Sequence, residues 1–460
     1  MKSAQVVGGA ALVLGLALVS TPMAAIARMI PVAPPQTIQD AVNAAAPGDT
    51  LVVRHGSYTE KGTAYCAPWL GGFPKCTEIR KAAVLITKRL TLTTDGGLVV
   101  ISSLDKQGHR LGDGIVALGR QANPVDSLAI TGFTLDGFDH SGIVTAYVRN
   151  FSIENNFTSN MGEMGIWPTL SANGQVKKNV AYGTADSALW VEASQNVRVI
   201  DNELYNAPTG LEVTISNNVT MENNNIHDNT VGVGLYHPAG AGLPSAYWPT
   251  FDFGGWHVVN NHIHENNFGN VAGGGLTGEL PPGIGVVIAG ANSVDVQQNR
   301  IENHALFGVA MIDWCVSQNN PFCFPVPDLG LAGVWQPNTP AQYRDPTVND
   351  TRIVQNTFTG NGFYAPGLPV YPFTLPGSDI VYLGADAYDP IFGVSLQAGS
   401  DNCQRDNTFS ATLLPNAVYS NPQTALQRCK RDGHGNDHGH GNDHGHGNDH
   451  GQGNGQGDGH

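Results

Sequence analysis

Certain residue types recur at matched places in successive stretches of this chain. Trp167, Trp190 and Glu212 fall at one place, and Thr169, Glu192, Thr214 and Tyr236 fall two residues further on. On a strand, two residues on means the same face. Carboxyl groups so placed can bond sugar hydroxyls or serve as general acid and base, and indole rings can pack on sugar C–H faces. Glu192 and Glu212 are the candidate catalytic pair, with backbones about 8 Å apart by strand geometry. Trp167, Trp190 and Tyr236 are candidate substrate-binding residues. His237 and Asp313 join them, because each stands where the repeating strand gives way to an insertion. A sheet face also carries Trp and Glu for ordinary reasons, so the pattern marks candidates and does not establish catalysis.

Histidines form a second set. His227 and His264 each lie three residues after a recurring asparagine, so they are expected to stack on neighbouring coils; such a pair can share a metal or a proton, but like residues also stack in β-helices for ordinary reasons. Beyond Gly433 a six-residue His-Gly-Asn-Asp-His-Gly motif repeats, with no apolar residue to build a core. His438, His440 and His444 there are candidate ligands for loosely held Zn, Cu or Ni, since imidazole suits those ions. No other cofactor is required. Asp136, Asp139 and His140 are a third polar group, of a kind that turns alone explain.

These residues need a scaffold, and the chain supplies one by repeating. Segments 189–202 and 211–224 align position by position, and the same frame starts at Ile143, Ile166, Val233, Ile284 and Val309. Asn156, Asn179, Asn202 and Asn224 are 23, 23 and 22 residues apart, and the series runs on through Asn261, Asn299, Asn356 and Asn407. Within each unit apolar and polar residues alternate, as at Leu189, Val191, Val197 and Val199, which means short strands with one face inward. A coil of about 22 residues stacking at about 4.8 Å fits a parallel β-helix, with the asparagines forming a ladder at one turn. The spacing predicts roughly ten coils over 82–410, with insertions at 237–255, 265–283, 313–350 and 363–391 walling the strip that holds the candidate residues. Residues 28–81 are expected to form the N-terminal cap and first strands, with a short helix over 37–46.

The first 27 residues read as a signal peptide: Lys2, an apolar run over 6–19, and Ala25-Ile26-Ala27 before a cut at Arg28. No further run is long and apolar enough to span a membrane, so the mature chain is expected to be secreted or periplasmic. Six cysteines in an exported chain suggest disulfides, and proximity pairs Cys66 with Cys76, Cys315 with Cys323 and Cys403 with Cys429. A net charge of -15 argues against nucleic acid as a partner. The tail, 432–460, reads as disordered.

The opening Ile38-Gln-Asp-Ala-Val, Ala-Pro-Gly-Asp-Thr-Leu-Val-Val and Gly-Ser-Tyr58, with the later Ala185-Asp-Ser-Ala-Leu-Trp-Val, resembles bacterial exported right-handed parallel β-helix repeat proteins of the pectate-lyase-like superfold. The resemblance spans about 36–410. It implies an all-β fold strongly and activity weakly. The Asp-Asp of polygalacturonases and the Asp-Pro-His-Asp of mannuronan epimerases are absent, and Gly-His-Gly occurs only in the tail. The expected strip offers no Arg or Lys to meet a uronate, so a hydrolase is favoured over a lyase. The expected partner is a polysaccharide or cell-envelope polymer, bound and perhaps cleaved in the walled trough. Two other readings stay open: a non-catalytic envelope or partner-binding module, and a periplasmic metal-handling protein.

Overall fold

A computed structural model describes residues 27–67, 76, 78–237, 254–273, 277–278, 280–313, 347–363, 368–370, 373–375, 377–383, 399–410, 417–419 and 426–430. The expected signal segment, the pair Cys315 and Cys323, most of the insertions at 237–255 and 313–350, and the tail with His438, His440 and His444 lie outside those residues.

Among the described residues, alternation of apolar and polar residues produces three large sheets of 13, 11 and 12 strands, with neighbours one coil apart in sequence. One coil shows the plan. Ser187–Glu192 lies in the third sheet, Gln195–Ile200 in the first and Glu203–Tyr205 in the second, before Thr209–Thr214 returns to the third. Pairing is parallel and in register, so Leu189 meets Leu211, which meets Val233, which meets Val286. The chain is a right-handed parallel β-helix. Its inward residues make one continuous core, including Leu189, Val191, Val197, Val199, Leu211 and Val213.

Parallel stacking reaches back before residue 82. Thr50–Val53 already pairs with Leu90–Thr94, and Met29–Val32 adds a further strand to the first sheet. The capping helix spans Ile38–Ala44. Its Thr37 N-cap accepts from the Asp40 N–H, while buried Glu60 accepts from the N–H groups of Ile38 and Gln39. A helix start has unpaired N–H groups, and here a carboxyl from the following turn takes two of them. Thr63–Cys66 departs from the parallel rule by pairing antiparallel with Ile79–Ile86 at the edge of the third sheet.

The asparagine ladder forms as expected. Each Oδ1 accepts the backbone N–H and the side-chain N–H of the asparagine one coil before, as Asn202 does from Asn179 at 2.9 and 3.0 Å. The left-handed backbone sits one residue earlier than the ladder asparagine, at Asn155, Lys178, Asp201 and Asn223. A second ladder was not evident in the spacing. It runs through Asn229, Asn266, His304 and Asn361 at the corner entering the third sheet. It accounts for a recurring glycine, since a Cβ on Gly210 would lie 2.6 Å from Asn229 Nδ2. Cys66–Cys76 and Cys403–Cys429 are disulfide-bonded as paired by proximity.

Candidate functional site

The expected site residues project from the third sheet away from the helix core. Trp167 packs with Tyr65, Val116, Val144 and Met164 in a cluster separate from the core, against which half-buried Trp190 rests. Tyr236 belongs to another outer cluster with Val287, Ala310 and Val381. The inward and outward register read from the sequence is therefore the register of the fold. Glu192 stands opposite Thr169 and Thr214, and Glu212 opposite Trp190, which places the two glutamates two positions apart on adjacent coils.

The face is much less open than a trough. Trp167 is 2% exposed, Glu192 4%, Glu212 6%, Tyr236 0%, His237 3% and Asp313 0%. Trp190 keeps partial exposure. Trp167 Nε1–H and the Thr169 hydroxyl both donate to Glu192 Oε2, at 3.1 and 2.9 Å. The Ser187 hydroxyl donates to Glu212, and Trp190 Nε1–H donates to the Thr214 hydroxyl at 2.8 Å. The two indoles stack within 10° of parallel, centroids 5.6 Å apart. Rings that close cannot lie side by side, because each is wider than the gap. They cover one another's faces and turn edges outward, which leaves little open ring face for a sugar.

Burial also sets the acidity of the site. It pushes Glu192 up to about 7, against the hydrogen bonds from Thr169 and Trp167. It pushes Glu212 well above the usual carboxylate range, helped by the negative charge of Asp186 and Glu192. Asp186 is itself raised by burial, then by Glu163. At neutral pH this ledge holds protons that exposed carboxylates would have lost. Beside it the chain is held in an unusual conformation. Tyr147, Leu170, Ala193 and Ile215, each just past a third-sheet strand, have φ of 53°, 48°, 44° and 47°. Such angles cost bulky residues energy and persist only where the surroundings impose them. Here Ser171, Ser194 and Ser216 impose them, each hydroxyl accepting a backbone N–H from the coil before.

His237 and Asp313 mark insertion roots. The His237 N–H donates to Ala289 O, and Asp313 Oδ1 accepts the Val348 N–H at 2.9 Å, tying the far side of its insertion back to the strand. His227 and His264 stack as expected, centroids 5.0 Å apart, but on the second sheet, in a column with Tyr182 and Tyr205. His262 stacks on His264 at 4.0 Å, and His262 Nε2 lies 2.9 Å from Glu302. Burial, then the neighbouring His262 and His227, hold His264 below the usual histidine range. Among the described residues no three His, Cys, Asp or Glu converge as metal ligands.

One charged constellation lay beyond sequence reasoning. Arg80, its side chain 2% exposed, donates to Glu163 at 2.8 and 3.1 Å and to Glu78 at 2.7 and 3.2 Å. His140 Nδ1 lies 2.9 Å from Glu163, and the Tyr65 hydroxyl donates to buried Asp113 at 2.8 Å. The Glu163 hydrogen bond raises His140, while His140 and Arg80 hold Glu163 low against its burial. The sequence did single out His140. Its partners come from 60 residues upstream and 23 downstream, and only coil stacking brings them together. Asp136 accepts from Ser159 and Asn160 on the neighbouring coil, and Asp139 pairs with Arg110.

The family described as right-handed β-helix region matches residues 92–241. No curated protein matches. Among solved structures, the chain is similar to the A-module of a mannuronan C-5 epimerase, AlgE4, from Azotobacter vinelandii. Identity there is 15%, covering 86% of this chain and 94% of that one, with a TM-score of 0.49. It is also similar to a DFA-IIIase from Arthrobacter chlorophenolicus, at 11% identity over 85% and 86% of the two chains and a TM-score of 0.47. An alginate lyase from a Paenibacillus species gives 10%, 85%, 97% and 0.32 for the same measures. At these identities the likeness is one of fold.

Proposed function

We propose that this chain is an exported carbohydrate-binding β-helix protein that holds a neutral glycan against the outer face of its third sheet. The observation that carries the reading is Trp190. It is the expected floor residue left partly exposed, it stands in register with Glu212, and its N–H is already taken by Thr214. What it offers a ligand is apolar surface beside acidic groups, the combination a sugar ring uses. Carboxyls that keep their protons can both donate to and accept from sugar hydroxyls.

Binding fits this ledge better than cleavage there. Glycoside hydrolysis needs one ionised carboxylate beside a protonated one, and burial raises both Glu192 and Glu212. His140 and Glu163, each about a quarter to a third exposed and 2.9 Å apart, form an ion pair that solvent can reach. Any acid–base chemistry on a bound glycan is proposed for His140.

A polysaccharide panel tests both statements. Affinity electrophoresis should show retardation by at least one neutral glycan, weakened in Trp190→Ala, which removes the partly exposed indole edge. Retardation by none, or an unaffected Trp190→Ala, sinks the binding reading. Reducing-end and unsaturated-product assays on wild type and His140→Gln test the chemistry separately.

A further inference from the structure

Three turns stack where the second sheet leads into the third. They are 137–142, 160–165 and 183–186, and backbone bonds join them: Gly162 N to Phe138 O, Glu163 N to His140 O, Ala185 N to Met161 O and Asp186 N to Glu163 O. Gly162 permits this closeness, because a Cβ there would sit 1.9 Å from Asp139 O. Stacked turns leave a hollow of about 320 Å³. Phe138 and Met161 lie beneath it, only 0% and 2% exposed. Its rim carries Arg110, Asp139, Asn160 and Thr184.

A wall closes one side. After His264 the chain leaves the second sheet, and the Phe268 N–H bonds Asn229 O. Asn270 then fastens the excursion by donating to the carbonyls of Thr277 and Leu280 at 2.7 and 2.9 Å. This brings Val271, an apolar side chain 55% exposed, to the mouth of the hollow, and Thr277 against Asp186. An exposed valine beside a hollow that also carries a few polar groups is the layout of a small-ligand site.

The chemistry narrows the ligand. The volume is at the lower end of the roughly 300–1,000 Å³ of small-molecule pockets, which suits one sugar ring and not a chain passing through. The exposed side chain of Val271 offers apolar surface to the C–H face of a pyranose, and the planar guanidinium of Arg110, carboxylate of Asp139 and amide of Asn160 match its hydroxyl edge. Charge is balanced, since Arg110 Nε lies 3.6 Å from Asp139 Oδ1, so no unpaired cation waits for a uronate or phosphate. We propose that this hollow is a binding site for a single neutral hexopyranose, free or at the end of a glycan. The proposal deepens the carbohydrate reading by adding a second place and a substrate class.

Titration of the full chain with neutral methyl hexopyranosides, followed by saturation-transfer NMR and calorimetry, tests it. Glucuronic acid serves as the anionic control. At least one methyl hexoside should bind and should exceed glucuronic acid. Asp139→Ala should weaken it at least about tenfold, the loss of a charged hydrogen-bond partner. Val271→Trp, made at an exposed position so that the fold survives, should block the mouth and abolish saturation transfer. Trp190→Ala should leave hexoside binding intact while weakening polysaccharide binding, so each site can fail alone. Absence of hexoside binding, preference for glucuronic acid, or binding unchanged in Val271→Trp overturns the proposal.

Discussion

The indole N–H of Trp167 donates to the carboxyl of Glu192 one coil further along, and the bond is almost closed to water. A carboxyl in that position is expected to weaken the fold as it ionises. The unfolded chain gives up this proton near 4.5 and the folded chain near 7. Stability therefore falls as pH rises between those values and levels off above, by about 3 kcal/mol at most. Glu192→Gln keeps an oxygen for Trp167 and Thr169 and removes the titration. Thermal melts across that window should show the variant gaining on wild type as pH rises, with no difference in slope above pH 8. Parallel curves would mean that Glu192 is not pushed up.

His304 should give the opposite slope. It sits in the second ladder with 0% exposure, Nε2 accepting from Asn266 and Nδ1–H donating to Asn361 at 2.8 Å. Burial pulls it down to about 4. Below 6.5 the unfolded histidine takes a proton that the folded one refuses, so stability is lost as pH falls towards 4, again by about 3 kcal/mol. His304→Asn puts the ladder's usual residue in that place and should flatten this acid limb in urea titrations. A limb as steep as wild type would place the acid sensitivity elsewhere.

Asn202→Ala should be among the most damaging single changes. It strips the partner from Asn179 N–H and from Val176 O at a place 1% exposed. Orphaned buried polar groups cost about 1–3 kcal/mol each, so a loss of about 3–5 kcal/mol is expected by chemical denaturation. A loss under 1 kcal/mol would mean that water or a neighbour replaces the amide.

Reduction should act at the end of the helix and spare its middle. Gln427–Arg428 holds the first sheet by two paired residues, and the Cys403–Cys429 bond fastens that strand across 26 residues of sequence. Mild reduction followed by limited proteolysis should release fragments beyond residue 410 while 90–310 stays protected, as mass spectrometry would read. The closure itself is worth roughly 2–4 kcal/mol in the entropic account. Early cleavage inside the central coils would contradict it.

The sequence disclosed whatever repeats in it. Period-two alternation and the run of Asn156 to Asn407 are local signals, and they led to the coils, the register and the outward direction of Trp190 and Glu192. The burial of that face was not legible, because it comes from packing between coils, as of Tyr65 and Met164 on Trp167 and of Val287 and Ala310 on Tyr236. Nor were the opposed acidities of His140 and Glu163, since Arg80 reaches them only through stacking of the edge hairpin. The second ladder stayed hidden because a histidine interrupts its asparagines.

The first ladder keeps its hydrogen bonds at 2.8–3.1 Å whether 22, 23, 37, 38, 51 or 57 residues separate its rungs. It gauges distance through space and is indifferent to how much chain has gone round. Each rung is therefore a splice point, since extra chain of any length can leave one corner and return without disturbing the coil above. A scaffold ruled in this way can exchange whole loops, and with them its ligands, while its core residues stay fixed.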